Sequence, residues 1–290
     1  MKNKHIMVTG AGGFIGSNIS NYLCKKKFII HAYYNSKIRK IKNKNINYLK
    51  RDLTKNIKIN KKISTLVHCA ALTTPTFDQI QCLKINQKID DTILKAIKKS
   101  NINKIIFLSS MSAYGKKKRK TLYENTKSSN LDFYGKSKFL MEKKLKALSK
   151  KNNINVIVLR LPATIGSECH STFLSRLSSE VKKKKINVYN SNSFFNGCIH
   201  INNLNIIIIK LLNKNFTGYD ILNIFSSNPV KIITIFNLFR KKLNKKIKFN
   251  IIKKKTNSYT INSLKYRKTY RLPLTSTIKN IKMYLKELNN

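Results

Sequence analysis

His5-Ile6-Met7-Val8-Thr9-Gly10-Ala11-Gly12-Gly13-Phe14-Ile15-Gly16 is the stretch on which the reading of the fold turns. Ile6, Met7 and Val8 form a short apolar run that reads as a buried strand. The run breaks into a glycine-rich turn, and Phe14-Ile15-Gly16-Ser17-Asn18-Ile19 then begins a helix. Strand, glycine turn and helix together set free backbone N–H groups and the positive end of a helix dipole against a pyrophosphate. Gly10 lets the turn form, Gly13 admits the phosphates, and Gly16 lets the helix lie close to the strand. The spacing is T-G-x-x-G-x-x-G rather than the plain G-x-G-x-x-G. Gly10, Gly13, Phe14, Ile15 and Gly16 are the residues expected to hold the diphosphate of a dinucleotide.

Outward from this turn, short apolar runs alternate with helical stretches. Strands are expected at 28–34, 46–51, 65–71, 104–108 and 155–160, with helices at 81–99 and 133–150 between them. The pattern predicts an α/β fold with a doubly wound parallel sheet. Past Gly166 the rhythm changes. A helix over 173–185, a short strand at 186–189 and a Lys/Ile-rich strand pair over 247–252 read as a smaller C-terminal lobe that binds substrate. The expected division is a dinucleotide-binding domain over 1–165, to which 197–225 returns, and a lobe over 166–290.

The chain of 290 residues is 41% hydrophobic, enough for a large core, and carries a formal charge of +49. Such a charge invites a nucleic-acid reading. The lysines, however, are scattered through every segment together with an excess of Asn and Ile, and read as solvated surface. The runs Lys116–Lys120 and Lys182–Lys185 fall where loops or helix ends are expected. No specific nucleic-acid partner is expected. Cys24, Cys69, Cys82, Cys169 and Cys198 form no C-x-x-C pair, so neither a disulfide framework nor a metal site is expected. The run Ile206–Ile209 is too short to cross a bilayer. A cytoplasmic, membrane-free protein is the expectation.

The end of the second strand faces the adenosine ribose in a dinucleotide site, where a carboxylate would bind the 2′-hydroxyl. Here Tyr34, Asn35 and Ser36 are followed by Lys37 and Arg39, with no acid among them. A cation there suits a 2′-phosphate, so NAD(P) is the expected cofactor, with NADPH preferred over NADH. Lys37 and Arg39 also fit the general basic background. Asp52 and Leu53 close the third strand. The small pair Ala70-Ala71 ends the fourth and lets a ligand approach the backbone.

Reactive side chains cluster at two places on this edge. Ser110 follows the fifth strand, and Tyr134 and Lys138 stand four apart on the next helix, sharing a face. An unperturbed phenol has a pKa of about 10, and a neighbouring ammonium favours its anion. Ser110 would hold a substrate oxygen while Tyr134 moves its proton, which suits hydride transfer between C–OH and C=O.

With Arg51-Asp52-Leu53, Val67 to Ala71, Asn86, Glu142, Arg160-Leu161-Pro162, Cys198 to Asn203 and Leu222 to Ile224 added, the sequence resembles the extended short-chain dehydrogenases/reductases. Within them it resembles the NAD-dependent epimerase/dehydratase group that acts on nucleotide sugars. The resemblance implies a Rossmann fold and a catalytic set of Ser110, Tyr134 and Lys138, with Lys138 also on the nicotinamide ribose. It places Asp52 and Leu53 at the adenine, Ala70 and Ala71 along the cofactor, and Pro162 near the nicotinamide. Asn86 and His200 are expected as polar braces. A nucleotide-sugar substrate and a homodimer built on 85–99 and 134–150 follow from the same resemblance.

Three departures bear on the reaction. Met111-Ser112 stands where family dehydratases carry an acidic pair, Ala163 where many 4-epimerases carry Asn, and no acid ends the second strand. Dehydration is therefore not expected. An NADPH-dependent ketoreductase is preferred over an NAD-retaining 4-epimerase, and a non-catalytic dinucleotide sensor is the third reading.

Overall fold

The computed structural model describes residues 4–73, 78–116, 120–180, 185–243, 246–253 and 259–288. The chain begins with β1 (His5–Thr9), α1 (Phe14–Lys25), β2 (Ile29–Tyr34), β3 (Ile46–Lys50), β4 (Ile63–His68), α2 (Gln79–Ile97) and β5 (Lys104–Ser110). A 3-10 turn over Met111–Tyr114 leads to β6 (Thr121–Leu122), α3 (Phe133–Asn152), β7 (Asn155–Leu161) and β8 (Ala163–Ile165). Next come α4 (Phe173–Glu180), β9 (Lys185–Tyr189), β10 (Phe194–Phe195), β11 (Cys198–His200), α5 (Ile201–Asn213) and β12 (Tyr219–Asn223). The chain closes with β13 (Val230–Lys231), α6 (Ile232–Leu243), β14 (Lys248–Ile252), β15 (Thr260–Ile261), α7 (Leu264–Tyr270) and α8 (Thr277–Glu287).

Seven strands form one parallel sheet in the order β12-β7-β5-β4-β1-β2-β3. The order reverses between β1 and β4, and in such sheets ligands bind in the crevice beyond the strand ends at that reversal. Both faces of a parallel sheet are covered, which is why β1 and β5 carry the unbroken apolar runs Ile6–Val8 and Ile105–Leu108. Met7, Leu66, Ile105 and Val158 pack with Ile93 of α2 and Met141 of α3 in one core. Asp132 caps α3 by accepting the Gly135 amide at 2.6 Å, and Asn153 ends the helix in the left-handed region at φ 50°.

Contacts divide the chain into two units. The first holds Met1–Lys116, Lys127–Arg160 and Asn205–Leu222; the second holds Lys117–Thr126, Leu161–Leu204 and Asn223–Asn290. The break thus falls just before Leu161, and a ten-residue excursion around β6 joins the second unit. Within that excursion Thr121-Leu122 pairs with Thr260-Ile261, too short a strand to show as a sequence period. Residues 247–252 form one strand rather than the expected pair: β14 lies parallel to β9, with Lys248 opposite Lys185. Six residues are too few for two strands and the turn between them, and Asn250 lies in the ladder opposite Asn187. The Ile206–Ile209 run lies inside α5. No described helix is long and apolar enough to cross a membrane. Residues 117–119 and 182–184 of the two basic runs lie outside the described residues.

Within the second unit, Asn196 is a buried joint. Its amide nitrogen donates to the Ile261 carbonyl at 2.7 Å, and its oxygen accepts the Ile261 amide at 3.3 Å. Helix α8 is fixed by Asn280, whose oxygen accepts the His200 amide at 2.8 Å and the Asn203 side chain at 2.9 Å. His200 is fully buried. Its Nδ1 accepts the Asn202 amide, and its Nε2 stands 3.1 Å from Glu287 outside hydrogen-bonding geometry.

Burial holds His200 below the ordinary imidazole value of 6.5, against the opposing pull of the Glu287 carboxylate. The unfolded chain therefore binds the extra proton more readily, and this part of the stability is present above pH 6.5 and lost as pH falls. The melting temperature should drop between pH 7 and pH 5, and His200→Gln should flatten that slope. An unchanged slope in the variant would remove His200 from the acid response.

Candidate active site

The glycine turn stands at the end of β1, on the β1/β4 reversal. Gly10 has φ +67°, and a Cβ there would come within 2.8 Å of the Ala70 backbone. Gly16 faces the Gly10 carbonyl more closely still, so α1 can start against the turn only without a side chain there. Gly13 precedes α1 and, having no side chain, supplies no cap; the first helical bond runs from Ser17 to the Gly13 carbonyl at 2.9 Å. The amides of Phe14, Ile15 and Gly16 thus precede the helical ladder, an arrangement that suits an anion. The space before Gly13 is open apart from the Gly10 oxygen. A dinucleotide pyrophosphate fits these residues.

Thr9 clamps this turn to the end of β4. Its hydroxyl oxygen accepts the amides of Cys69 at 3.1 Å and Ala70 at 3.2 Å. Its single proton is thereby left for His68 Nδ1, 2.6 Å away. That count assigns the proton of neutral His68 to Nε2, which donates to Asp90 Oδ1 at 3.2 Å. His68 is fully buried and stacks on Phe107.

At the adenosine end, the Lys37 carbonyl lies against Gly12, so the basic loop after β2 covers the glycine turn. Asn35 and Arg39 of that loop are exposed. Asp52 accepts the Thr54 amide at 2.9 Å and its hydroxyl at 2.8 Å, and these bonds hold its carboxyl below the usual carboxylate range. Leu53 is buried beside it. Ala70 and Ala71 are half-buried. Pro162 is buried in the second unit, between β7 and β8.

The reactive groups are held by a seam between the end of β5 and the first turns of α3. Lys138 is buried, and its ammonium donates to the Leu108 carbonyl at 3.0 Å. That ammonium lies 4.9 Å from the Phe107 ring and 5.7 Å from the Tyr134 ring. Gly135 lets α3 approach the Ser112 carbonyl closer than any side chain would allow. Ser110 caps the 3-10 turn by accepting the Ser112 amide at 3.1 Å. Its oxygen is thus fixed while its proton can be donated outward. Burial pushes the Cys69 thiol up to about 12 despite Lys138 nearby, which keeps it a neutral thiol and no nucleophile.

The structure therefore brings Ser110, Tyr134 and Lys138 onto one seam, and gathers Gly10, Gly13, Phe14, Ile15, Gly16 and Ala70 at one turn. Asn86 is a brace, as its sequence position implied: it accepts the Leu72 amide at 2.7 Å and donates to the Leu72 carbonyl at 3.1 Å. Sequence reasoning gave no role to Thr9, His68, Asp90 or Ser109. One signal was available. Asn86 and Asp90 are polar residues four apart on α2, facing inward in a helix whose stripe is otherwise apolar.

A glycine turn at the reversal of a parallel sheet, with helices on both faces, marks a dinucleotide-binding α/β protein. Residues 6–224 match the NAD dependent epimerase/dehydratase family, and the chain belongs to it. It is 27% identical over 274 residues to an uncharacterized protein of Methanocaldococcus jannaschii, covering 86% of this chain and 83% of that one. It is 23% identical over 261 residues to the uncharacterized UDP-glucose epimerase YtcB of Bacillus subtilis, covering 80% of each. Its fold is similar to that of a UDP-glucuronic acid 4-epimerase from Bacillus cereus in complex with NAD. The TM-score is 0.84 at 20% identity, over 98% of this chain and 96% of that one.

Thr9→Val keeps the strand shape but orphans His68 Nδ1 and two amides. Chemical denaturation should show a loss of about 3 kcal/mol, since orphaned buried groups cost roughly 1–3 kcal/mol each. A loss below about 1 kcal/mol would mean that Thr9 does not clamp the turn.

Proposed function

We propose that this chain interconverts a hydroxyl and a ketone on a nucleotide sugar with NAD(P), with Tyr134 as the general acid/base. The observation that supports this most is the seam: Lys138, anchored to the Leu108 carbonyl, stands beside Tyr134 on α3, and α3 lies against the strand end that carries Ser110. When bound, the nicotinamide accepts and returns a hydride. Ser110 gives a hydrogen bond to the substrate oxygen, keeping its own proton, and so orients it. Tyr134 takes the hydroxyl proton as the carbonyl forms and gives it back in reverse. Lys138 stabilises the phenolate and holds the nicotinamide ribose. Phe14, Ile15 and Gly16 bind the pyrophosphate, with Asp52 and Leu53 at the adenine, Ala71 along the cofactor and Pro162 toward the nicotinamide.

Substrate contacts belong to the second unit, which has an open cavity of about 840 Å³ with Asn196, Asn262, Ser263 and Arg267 in its polar wall. The half-buried Ile85 and Ile89 of α2 and Phe139 of α3 support a homodimer contact on those helices.

Relatives named UDP-glucose 4-epimerase, from Lactobacillus helveticus and Drosophila melanogaster, support the first outcome, an epimerase. The basic loop laid over Gly12 favours the second outcome, a ketoreductase that spends NADPH. Denaturing the purified protein and quantifying released nucleotide separates them: stoichiometric NAD(H) marks the epimerase. If Lys37→Ala and Arg39→Ala leave NADPH affinity unchanged, the preference for the phosphorylated cofactor fails. Tyr134→Phe should lower turnover by about 100- to 10,000-fold, the range for a lost acid/base group, with cofactor affinity kept. Full turnover in that variant would sink the proposal.

A further inference from the structure

One buried carboxylate has no part in that chemistry, yet it sits on the helix that carries Tyr134 and Lys138 and bonds to the strand that leads into Ser110. Glu142 lies one turn beyond Lys138 on α3 and is 2% exposed; Arg160, at the end of β7, is 3% exposed. Arg160 grips both carboxylate oxygens, Nε to Oε1 at 3.1 Å and Nη2 to Oε2 at 2.7 Å. Oε1 also accepts the Ser109 hydroxyl at 2.6 Å, a short bond with an ionised acceptor. Tyr219 of β12 donates to the Glu142 carbonyl at 3.1 Å.

We propose that Glu142 is a positioning residue for the reacting site, acting through Ser109 on one side and through Arg160 and Tyr114 on the other. The inference rests on reading Ser110, Tyr134 and Lys138 as that site.

Stability alone does not account for the pair. A buried ion pair loses much of its Coulomb gain to desolvation, and an apolar replacement of similar volume often holds a fold equally well. What this pair supplies is direction. The Arg160 fork fixes the plane of the carboxylate, so Oε1 meets Ser109 at one place only. Lys138 and Glu142, one turn apart, thereby hold the consecutive residues Leu108 and Ser109. Sliding β5 by one residue along α3 would break both bonds at once.

The next residue, Ser110, starts the 3-10 turn, and Tyr114 ends it. The Arg160 guanidinium lies 4.5 Å from the Tyr114 ring centroid. Glu142 thus holds both ends of the turn that presents Ser110, and it does so from the helix that presents Tyr134.

The test uses full-length protein carrying its nucleotide, with UDP-glucose and UDP-galactose as probe substrates. Three variants are compared: Ser109→Ala, the double apolar replacement Glu142→Met with Arg160→Met, and Tyr134→Phe as the reference for lost chemistry. Ser109→Ala and the double replacement should melt near the parent temperature and keep KM within about twofold. They should lose kcat by about 10- to 100-fold, the scale of an ångström-sized misplacement. Amide exchange over 109–115 should quicken, while exchange over 5–20 stays as it was. Full kcat with parental exchange would overturn the proposal, and so would a rise in KM at constant kcat. If Tyr134→Phe itself stays active, the reading of the reaction has failed. In that case, or if neither UDP-sugar is turned over, the exchange comparison decides by itself. Quickening confined to 109–115 supports the positioning role; uniform or absent quickening refutes it.

Discussion

One bond, from the Lys138 ammonium to the Leu108 carbonyl, sets the relation between α3 and the end of β5. It ties the helix carrying the phenol to the strand that delivers the serine, at a place where burial strengthens electrostatic contacts. Gly135 makes the approach possible by leaving no side chain between α3 and the Ser112 carbonyl. Without that closeness Tyr134 and Ser110 would belong to separate elements with no fixed relation. With it, two residues 24 positions apart in sequence share one rigid seam, as a site on regular elements requires.

The glycine turn obeys the same logic on the other side of the crevice. Its backbone is bare enough to meet phosphate only because Gly10 and Gly16 carry no side chains, and bare backbone is poorly held by packing. Thr9 makes up for this. One hydroxyl accepts two amides and gives its proton to His68, and the imidazole passes the constraint on to Asp90 in α2. The strand end and the turn are thus fixed by hydrogen bonds that leave the ligand face open.

Much of this was legible in the sequence. The run from His5 to Gly16 announced the turn, and the alternation of apolar runs with helices announced a parallel sheet. Tyr134 and Lys138 could be paired because four residues bring two side chains onto one helix face. Other features left no local trace. Ser109 looks like the end of an apolar strand, and Glu142 looks like one more charge on a basic helix. Their meaning arises only when β5, β7 and α3 come together, since a buried ion pair is a property of tertiary contact. The pairing of β14 with β9 was hidden likewise, because a parallel partner distant in sequence gives no turn signal. The second unit was harder to read, because its pairings of β10 with β13, β11 with β8 and β15 with β6 run only two or three residues.

The central claim is that one phenol and one serine hydroxyl converge on a single substrate oxygen beside the cofactor. A crystal structure with NAD and a UDP-sugar tests this most directly. The account predicts Tyr134 Oη and Ser110 Oγ within about 2.6–3.2 Å of the same sugar oxygen, with the diphosphate of NAD on the Phe14–Gly16 amides. A Tyr134 hydroxyl turned away from the nicotinamide, or a dinucleotide bound elsewhere, would contradict it.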